Sequence, residues 1–513
     1  MGKPEDSIKK IAKGATIIFA GAAISKLFTY LFRLVIARAG VEDYGLLTLG
    51  ITLTVFVSVF VTLGLDHGIY RYAAYYRERK ELGKVKGTIL NSLRLSLSLS
   101  IILAVLMVVF SGWIAVTFFP NLDSVKLTTI IRIMALSIPL LTVSKMFNSC
   151  FRSLQKPEYE VYTKNILEQG SKFLLSLIFL LFGLGLIDMA FAYVAALLLS
   201  VLVGWYLLKK LIKNVVGRVK EIGVTKEVMK YSLPLLSVGV FFSILTSTDV
   251  FMLGYFKTAS SVGIYNAAAP TAQLIYLVAY AITTLFLPVV MKLHVENDQK
   301  SIKQVYKTIT KWIFLVNILL ISIFAVYSRE FLTIFFGKEF SLGWVAMIIL
   351  LLGYFMSFTL YPSENILLIL KKSKIIFYNN AIVAVLNVLM NYLLIPKYGF
   401  IGAAMATSIG LGIWALLIFF ESYYFTRIMP LKVELISILA SAIIATAACL
   451  YLKQVFPASS LLKLAISSLV LGLIYALLIL VTKSIKRDEL MILKAISDKT
   501  GLNISFLNRL IKK

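Results

Sequence analysis

The sequence predicts an all-α protein that crosses a membrane many times. Of its 513 residues, 59% are hydrophobic and 15% are charged, and the mean hydropathy is +0.89. Soluble domains are nearer half apolar and a quarter charged. Apolar runs of about 20 residues, the length that crosses the hydrocarbon core of a bilayer as a helix, recur along the whole chain. Barrel strands would alternate apolar and polar residues instead, so helical spans are predicted.

About fourteen transmembrane helices can be placed in order along the chain. The predicted spans are 15–37, 45–66, 89–111, 127–149, 165–184, 187–208, 231–255, 263–290, 309–327, 342–370, 374–395, 399–421, 433–452 and 461–482. Prolines 139, 234, 270, 288 and 362 fall within these spans. Because proline removes a helical donor, kinks are expected there.

The distribution of Lys and Arg predicts the orientation of the chain in the membrane. The net charge of +27 could indicate a nucleic-acid partner, but the Lys and Arg residues lie beside the spans. With the amino terminus inside, the cytoplasmic segments hold 37 of them and the opposite loops hold 7. Cytoplasmic loops of membrane proteins carry this excess. We therefore predict a multi-pass protein of the cell membrane with both termini in the cytoplasm and no nucleic-acid partner.

The longest predicted cytoplasmic connection, 209–230, separates six spans from eight. A weak repeat, a short external turn followed by glycine and small residues, opens the second, eighth and twelfth spans. Transporters built from such repeats place their substrate path between the repeated halves. We predict an N-lobe at 1–222 and a pseudo-symmetric C-lobe at 223–430, each of six helices.

Two further segments follow the predicted lobes. Residues 431–482 are predicted to form two additional helices, and 483–513 to form a basic amphipathic cytoplasmic tail. Such a tail suits an anionic inner leaflet, although a plain solvated tail has the same composition. No metal-ligand or redox spacing of cysteines occurs, so no cofactor is expected.

Several stretches carry a resemblance to a known family. They are 38–50 (RAGVEDYGLLTLG), 63–76 (LGLDHGIYRYAAYY), 231–234 with 249–254 and 263–268, and 391–407 (NYLLIPKYGFIGAAMAT). Over about 10–480 the chain resembles the polysaccharide transporter family, the lipid-linked oligosaccharide flippases, of the multidrug/oligosaccharidyl-lipid/polysaccharide exporter superfamily.

That resemblance implies two six-helix lobes around a central cavity, and alternating access. It also implies outward movement of a lipid-linked oligosaccharide, carried on polyprenyl phosphate or diphosphate, for surface polysaccharide or glycan biosynthesis. The implied partners are membrane lipid, the anionic lipid-linked glycan and other glycan-assembly membrane proteins. The family has no catalytic motif to carry over, so the candidate residues come from this sequence.

Charged residues inside spans are costly and usually face a cavity or a partner. On the first span Lys26, Tyr30 and Arg33 are spaced by four and three residues, so they share one helix face over about 10 Å. Two cations and a phenol suit a diphosphate and a sugar. We interpret them as a substrate-binding stripe, with pairing inside the bundle as the alternative.

Other candidate substrate contacts lie in the same half. Lys172 follows Glu168 by one helical turn. The sequence is therefore compatible with an ion pair between Lys172 and Glu168 and with a contact between Lys172 and the ligand. Lys145 and Asn148 share a face near the predicted cytoplasmic end of the fourth span. They could receive substrate from the inner leaflet, or Lys145 could extend to the interface.

The second half holds two buried carboxylates, Asp249 and Glu364, as gate or coupling candidates. Asp249 is predicted to lie level with Arg33 toward the outside, and we hypothesise that the two pair as an outer gate. Glu364 lies in a polar break of its span, where unwound backbone could hold a coupling cation, Na⁺ or H⁺.

Two other functions compete with glycan-lipid transport as explanations of this sequence. A cation-coupled multidrug exporter of the same superfamily would favour carboxylates in its cavity, whereas the first six spans carry six cations. A membrane-embedded glycosyltransferase would need a general base or a metal site, and no HExxH, DxD or G-x-S-x-G sequence occurs. The sequence therefore favours transport over catalysis.

Overall fold

The fold is a bundle of α-helices. A computed structural model describes residues 4–183, 185–217, 219–455 and 460–485, and no strand forms within these ranges. The helices of the first half are α1 (Pro4–Ala37), α2 (Val41–Thr62), α3 (Leu65–Glu78), α4 (Leu82–Val109), α5 (Ser111–Phe118), α6 (Ser124–Ala135), α7 (Ser137–Ser153), α8 (Glu158–Glu160), α9 (Gln169–Leu181) and α10 (Leu186–Val215).

The second half continues the helical pattern. Its helices are α11 (Thr225–Phe256), α12 (Ala259–Ala272), α13 (Tyr276–Val295), α14 (Gln299–Val326), α15 (Ser328–Phe335), α16 (Trp344–Thr359), α17 (Tyr361–Ile369), α18 (Ser373–Tyr398), α19 (Phe400–Thr426), α20 (Glu434–Val455) and α21 (Leu461–Val481). Short 3₁₀ turns at Gln273–Ile275 and Lys338–Gly343 join neighbouring helices.

The helical membrane fold predicted from composition is confirmed. Twelve segments of the described chain are long and apolar enough to cross a membrane. The two remaining predicted spans, 15–37 and 165–184, overlap helices α1 and α9 but are not among the twelve. The count of fourteen and the orientation of the termini stay predictions.

Three predicted spans are interrupted close to a proline. The span at 127–149 is divided at Leu136, just before Pro139. The span at 342–370 is divided at Leu360, and Pro362 lies in the first turn of the next helix. After Pro270 the chain tightens into the 3₁₀ turn before α13. By contrast, α11 continues through Pro234.

A π-helix at Val161–Glu168 precedes α9. The sequence did not predict it. Such wide turns often occur at functional sites, and this one ends at Glu168, the residue that pairs with Lys172. Helix α1 packs on it closely, because a Cβ added to Gly21 would lie 2.6 Å from Val161.

The chain forms two compact units. The first comprises Met1–Ala267 with Ala384–Ala403, and the second comprises Ala268–Val383 with Ala404–Lys513. The predicted lobes, 1–222 and 223–430, stay a prediction. Of the predicted tail at 483–513, residues 486–513 lie outside the described residues.

Candidate functional site

Helix α1 places its cationic stripe away from its main packing face. Phe28 packs near Phe173, with ring centroids 6.2 Å apart, and Phe32 packs near Tyr193 at 6.0 Å. These residues lie about 100° or more around the helix from Lys26 and Tyr30. The side chain of Lys26 is exposed and those of Tyr30 and Arg33 are partly exposed. The stripe thus lies on one exposed to partly exposed face of α1, and its contact with substrate stays a prediction.

At the end of the stripe, Arg33 lies in a polar cluster of the first unit. Its guanidinium donates to the hydroxyl of Tyr44 at 3.3 Å and to the main-chain carbonyl of Asn266 at 3.4 Å. The Tyr44 hydroxyl also donates to that carbonyl, at 3.1 Å. Tyr44 is fully buried. Arg33 therefore connects α1 to α2 and α12.

Asp249 lies in a second buried cluster of the same unit. Its carboxylate accepts a short hydrogen bond from the Tyr265 hydroxyl and one of 2.6 Å from the Asn391 amide. That amide also donates to the Asn387 side chain at 3.0 Å. The side-chain oxygen of Asn391 is buried and has no hydrogen-bond partner among the described residues. The cluster thus combines a carboxylate with amide and phenol oxygens.

This oxygen-rich cluster fits a hard monovalent cation. Sodium and similar ions bind carboxylate, amide and hydroxyl oxygens, and Asp249, Asn387, Asn391 and Tyr265 supply all three kinds. An unsatisfied buried carbonyl is a costly feature that a bound ion would relieve. Groups of three His, Cys, Asp or Glu residues, which suit transition metals, do not occur in the described ranges.

The two clusters meet at consecutive residues of one helix. Arg33 donates to the main-chain carbonyl of Asn266, and the hydroxyl of the neighbouring Tyr265 donates to Asp249. That the two charges lie at the same depth stays a prediction. The hydrogen bonds described here link them through α12. Their direct pairing as a gate stays a hypothesis.

Helices α2 and α12 approach each other through a reciprocal pair of glycines. A Cβ added to Gly45 would lie 1.9 Å from the carbonyl oxygen of Ala259, and one added to Gly263 would lie 2.2 Å from the carbonyl oxygen of Val41. Each glycine is the fifth residue of its helix and faces the first residue of the other. The contact is therefore symmetric, and only glycine permits it.

Lys172 forms a buried pair rather than joining the stripe. Its ammonium lies 2.8 Å from Glu168, and both side chains are about 95% buried. The same ammonium lies 4.2 Å from the centre of the Tyr193 ring. Ser144 and Gln169 also donate to Glu168. Of the two interpretations left open, the geometry favours the internal pair.

The Lys172 pair makes a prediction about stability. Lys172→Ala would leave Glu168 charged and buried without its counter-ion, which typically costs about 3–5 kcal/mol. We expect a clear fall in the Tm of the detergent-solubilised protein. The double variant Glu168→Gln/Lys172→Met should lose much less. An unchanged Tm for Lys172→Ala would contradict the structural assignment.

Lys145 and Asn148 are also placed by the structure. The Lys145 ammonium lies 3.2 Å from Asp66, and its side chain is 45% exposed. Asn148, three residues later on α7, is buried. Lys145 therefore neutralises a buried carboxylate at this end of the bundle while retaining an accessible face. Its contact with substrate stays a prediction.

Glu364 lies in the second unit among aromatic rings. It is on α17, directly after the break at Leu360, and it is close enough to Tyr276 and Tyr361 to interact electrostatically with both. The rings of Tyr276 and Tyr361 are 6.1 Å apart. A carboxylate beside tyrosine rings can attract a cation. The helix is interrupted at Leu360, whereas Tyr361–Asn365, where unwound backbone was predicted, are helical; cation binding at Glu364 stays a prediction.

Several site residues were missed in the sequence. Tyr44, Asn266 and Asn391 are neutral, so they do not stand out in an apolar span as Lys or Asp does. One signal existed for Asn391, because Asn387 precedes it by four residues and places two amides on one face.

The fold is similar to those of two solved membrane proteins. The structure is similar to that of the lipid II flippase MurJ in an inward closed conformation, with a TM-score of 0.70 and 17% identity over 90% of this chain and 98% of that one. It is also similar to an inward-facing multidrug resistance transporter of the MATE family, with a TM-score of 0.64 and 14% identity over 79% and 94% of the two chains. At these identities the likeness shows the fold alone.

The family follows from sequence. The family model for polysaccharide biosynthesis proteins matches residues 11–294, more than half of the chain, and the MatE model matches 234–393. The chain therefore belongs to the polysaccharide biosynthesis protein family, as the resemblance predicted.

Two curated relatives are similar to this chain. One, from Haloferax volcanii, is the probable low-salt glycan biosynthesis flippase Agl15, which is 27% identical over 50% of this chain. The match spans about half the length of that relative, 54%. An uncharacterized membrane protein of Methanocaldococcus jannaschii is 25% identical over 80% of this chain and 82% of its own length.

Proposed function

We propose that this protein is a flippase for a lipid-linked oligosaccharide. It moves a glycan carried on polyprenyl phosphate or diphosphate from the cytoplasmic to the outer leaflet, for surface polysaccharide or glycan biosynthesis, and it forms or breaks no covalent bond. The observation that carries the proposal is the accessible cationic stripe of Lys26, Tyr30 and Arg33, which ends in the polar cluster of Arg33, Tyr44 and Asn266.

The stripe suits an anionic headgroup crossing the membrane. A phosphate in hydrocarbon is very costly unless it is paired, and Lys26 and Arg33 supply charge-assisted donors along about 10 Å of the path. Tyr30 offers a ring face and a hydroxyl to the attached sugar. The hydrogen bonds from Arg33 go to neutral oxygens. A phosphate can therefore compete with those oxygens for the guanidinium.

Alternating access needs two states that substrate can bias. The reciprocal contact of Gly45 and Gly263 closes the ends of α2 and α12 that the charge distribution assigns to the outside. We propose that substrate reaches the stripe from the cytoplasmic side while this contact is closed. Phosphate binding at Arg33 weakens the bonds to Tyr44 and Asn266 and thereby favours opening.

The relatives support a glycan-related substrate. Agl15 is named as a flippase of glycan biosynthesis and MurJ as a lipid II flippase. A coupling cation, Na⁺ or H⁺, would bind at Asp249, where the surrounding oxygens fit it. The proposed partners are membrane lipid and the membrane enzymes that assemble and consume the glycan.

One observation supports a second candidate function. The carboxylate of Glu364 beside Tyr276 and Tyr361 suits an organic cation and, with the MATE-like fold, would serve a cation-coupled drug exporter. The two functions predict opposite substrate charges. Transport of a cationic drug that depends on Glu364 and not on Lys26 would favour the exporter.

Lys26→Ala is predicted to abolish glycan-lipid flipping without loss of protein, because the diphosphate loses its mid-span counter-charge. The measurement is the initial rate of translocation of a lipid diphosphate oligosaccharide in proteoliposomes that contain equal amounts of transporter.

Two variants serve as controls for that measurement. Lys26→Arg keeps the charge and should retain much of the rate. Arg38→Ala removes a cation next to the same helix but off the stripe, and should transport like the wild type. If Lys26→Ala transports at the wild-type rate, the stripe is not the anion path.

A further inference from the structure

A second basic site lies outside the proposed path. A cavity of about 460 Å³ opens in the first unit beside helix α3. Its walls are α3, the end of α7 with the turn that follows, and Tyr231 of α11. The volume is within the usual range for small-molecule sites, about 300–1,000 Å³. The stripe on α1 contributes no side chain to this lining.

The lining of this cavity is basic. Arg71, Arg77, Arg152 and His67 contribute to it, and no acidic residue does. The carboxylates that balance two of the arginines lie outside the lining, since Arg77 bonds to Glu78 at 2.9 Å and Arg152 bonds to Glu160 at 2.5 Å. Arg77 and Arg152 are thus balanced by carboxylates, and Arg71 supplies the positive charge that the lining presents to an anion.

Arg71 has the arrangement of an anion-binding arginine. Its guanidinium lies 4.4 Å from the centre of the Tyr231 ring and 5.9 Å from that of Tyr72. Among the described residues it has no carboxylate partner. Contact with the Tyr231 side chain, to which it also hydrogen-bonds, orients the planar guanidinium, and its remaining N–H donors can bind a phosphate.

Gln155 adds a strained residue to the same wall. It lies two residues after the end of α7 with φ of 59°, in the left-handed region, which costs a non-glycine residue about 1–2 kcal/mol. Glycine is the usual residue at such a helix end. Here the side chain lines the cavity instead, and strained residues of this kind cluster at binding sites.

We infer that this cavity binds a phosphate or diphosphate ester. Arg71, with Arg77 and Arg152 behind it, holds the anion, the amide of Gln155 donates to it, and the rings of Tyr70 and Tyr231 contact the group it carries. The loops that form the cavity belong to the predicted cytoplasmic side. The ester is therefore either borne by an inner-leaflet lipid or dissolved in the cytoplasm. The inference concerns binding and does not depend on transport.

The test measures binding of inorganic pyrophosphate to the full chain in phosphatidylcholine nanodiscs by calorimetry. Arg71→Gln should weaken binding about tenfold or more, the effect of losing a charge-assisted phosphate contact. The matched control is Arg79→Gln. Arg79 also stacks on a tyrosine, 4.8 Å from the Tyr75 ring, at the end of the same helix, but it does not line the cavity. Arg79→Gln should change the affinity for pyrophosphate by less than about twofold.

Gln155→Gly separates binding from folding. It relieves the left-handed strain, so the Tm should stay the same or rise, while pyrophosphate affinity should fall. A fall in affinity at unchanged Tm supports the site. Wild-type affinity in both Gln155→Gly and Arg71→Gln overturns it.

A second arm identifies the source of the phosphate. Polyprenyl monophosphate is added to the nanodiscs, and pyrophosphate binding is repeated. Competition in the wild type, absent in Arg71→Gln, shows that lipid-borne phosphate reaches the site, whereas unchanged affinity assigns it to soluble esters. If the wild type binds neither pyrophosphate nor polyprenyl phosphate, or if Arg71→Gln and Arg79→Gln weaken both equally, the inference is wrong.

Discussion

Gly263→Val is expected to stop transport while leaving the protein folded in the membrane. The added Cβ would lie 2.2 Å from the carbonyl oxygen of Val41, a backbone atom that cannot rotate away. Overpacking costs about 1–3 kcal/mol, and we expect the upper end of this range because the clash is with backbone. The state with α2 and α12 in contact would then fall roughly 100-fold in population. Gly45→Val should act in the same way through Ala259.

The matched control for these variants is Gly472→Val. Gly472 lies within α21, and a Cβ there would meet no atom within 4 Å, so helix propensity changes equally without a clash. Two readouts are needed, the initial translocation rate and the reactivity of a cysteine placed at Tyr30 toward a membrane-impermeant reagent added outside. Gly263→Val should raise that reactivity and lower the rate. A wild-type rate at equal protein would show that the contact is not part of the cycle.

Asp249→Asn is expected to remove the dependence of transport on a coupling cation. The substitution keeps the shape but deletes the charge at the centre of the oxygen cluster, and the new amide would face the donating amide of Asn391. A cation loses its principal ligand, so we expect the translocation rate to fall at least about tenfold, the effect of about 1.4 kcal/mol.

The decisive readout for Asp249 is the response to ions rather than the rate alone. Wild-type transport should decline when Na⁺ is replaced by a bulky organic cation or when the proton gradient is collapsed, whichever ion couples. The residual transport of Asp249→Asn should respond to neither. Glu364→Gln serves as the comparison, since Glu364 lies in the other unit. If Asp249→Asn keeps the full ion response, Asp249 is not the coupling site.

Much of the fold could be predicted because the bilayer restricts it. Apolar runs and the distribution of Lys and Arg follow from the solvent and from insertion, and each predicted span overlaps one or more helices. The helical breaks near Pro139 and Pro362 could also be predicted, since proline lacks the donor that continues a helix. The π-helix at Val161–Glu168 could not be predicted, because its sequence is compatible with an ordinary turn of α-helix.

The site was predicted where charge or period marks it. Lys26, Tyr30 and Arg33 share a face because their spacing is helical, whereas the depth expected for Asp249 stays a prediction. The partners of Arg33 could not be predicted, since Tyr44 and the Asn266 carbonyl come from distant helices and carry no charge. The weak repeat predicted that Gly45 and Gly263 lie near the beginning of their spans. Their mutual contact depended on packing that no local pattern encodes.

The proposed function requires that the transported molecule is an anionic lipid-linked glycan. The most direct measurement compares two substrates in the same proteoliposomes, a fluorescent oligosaccharide on polyprenyl diphosphate and a cationic dye. We predict protein-dependent translocation of the glycan lipid, lost in Lys26→Ala and retained in Lys26→Arg, with dye movement no faster than in protein-free vesicles. Ion-driven movement of the dye, with no translocation of the glycan lipid, would contradict the account.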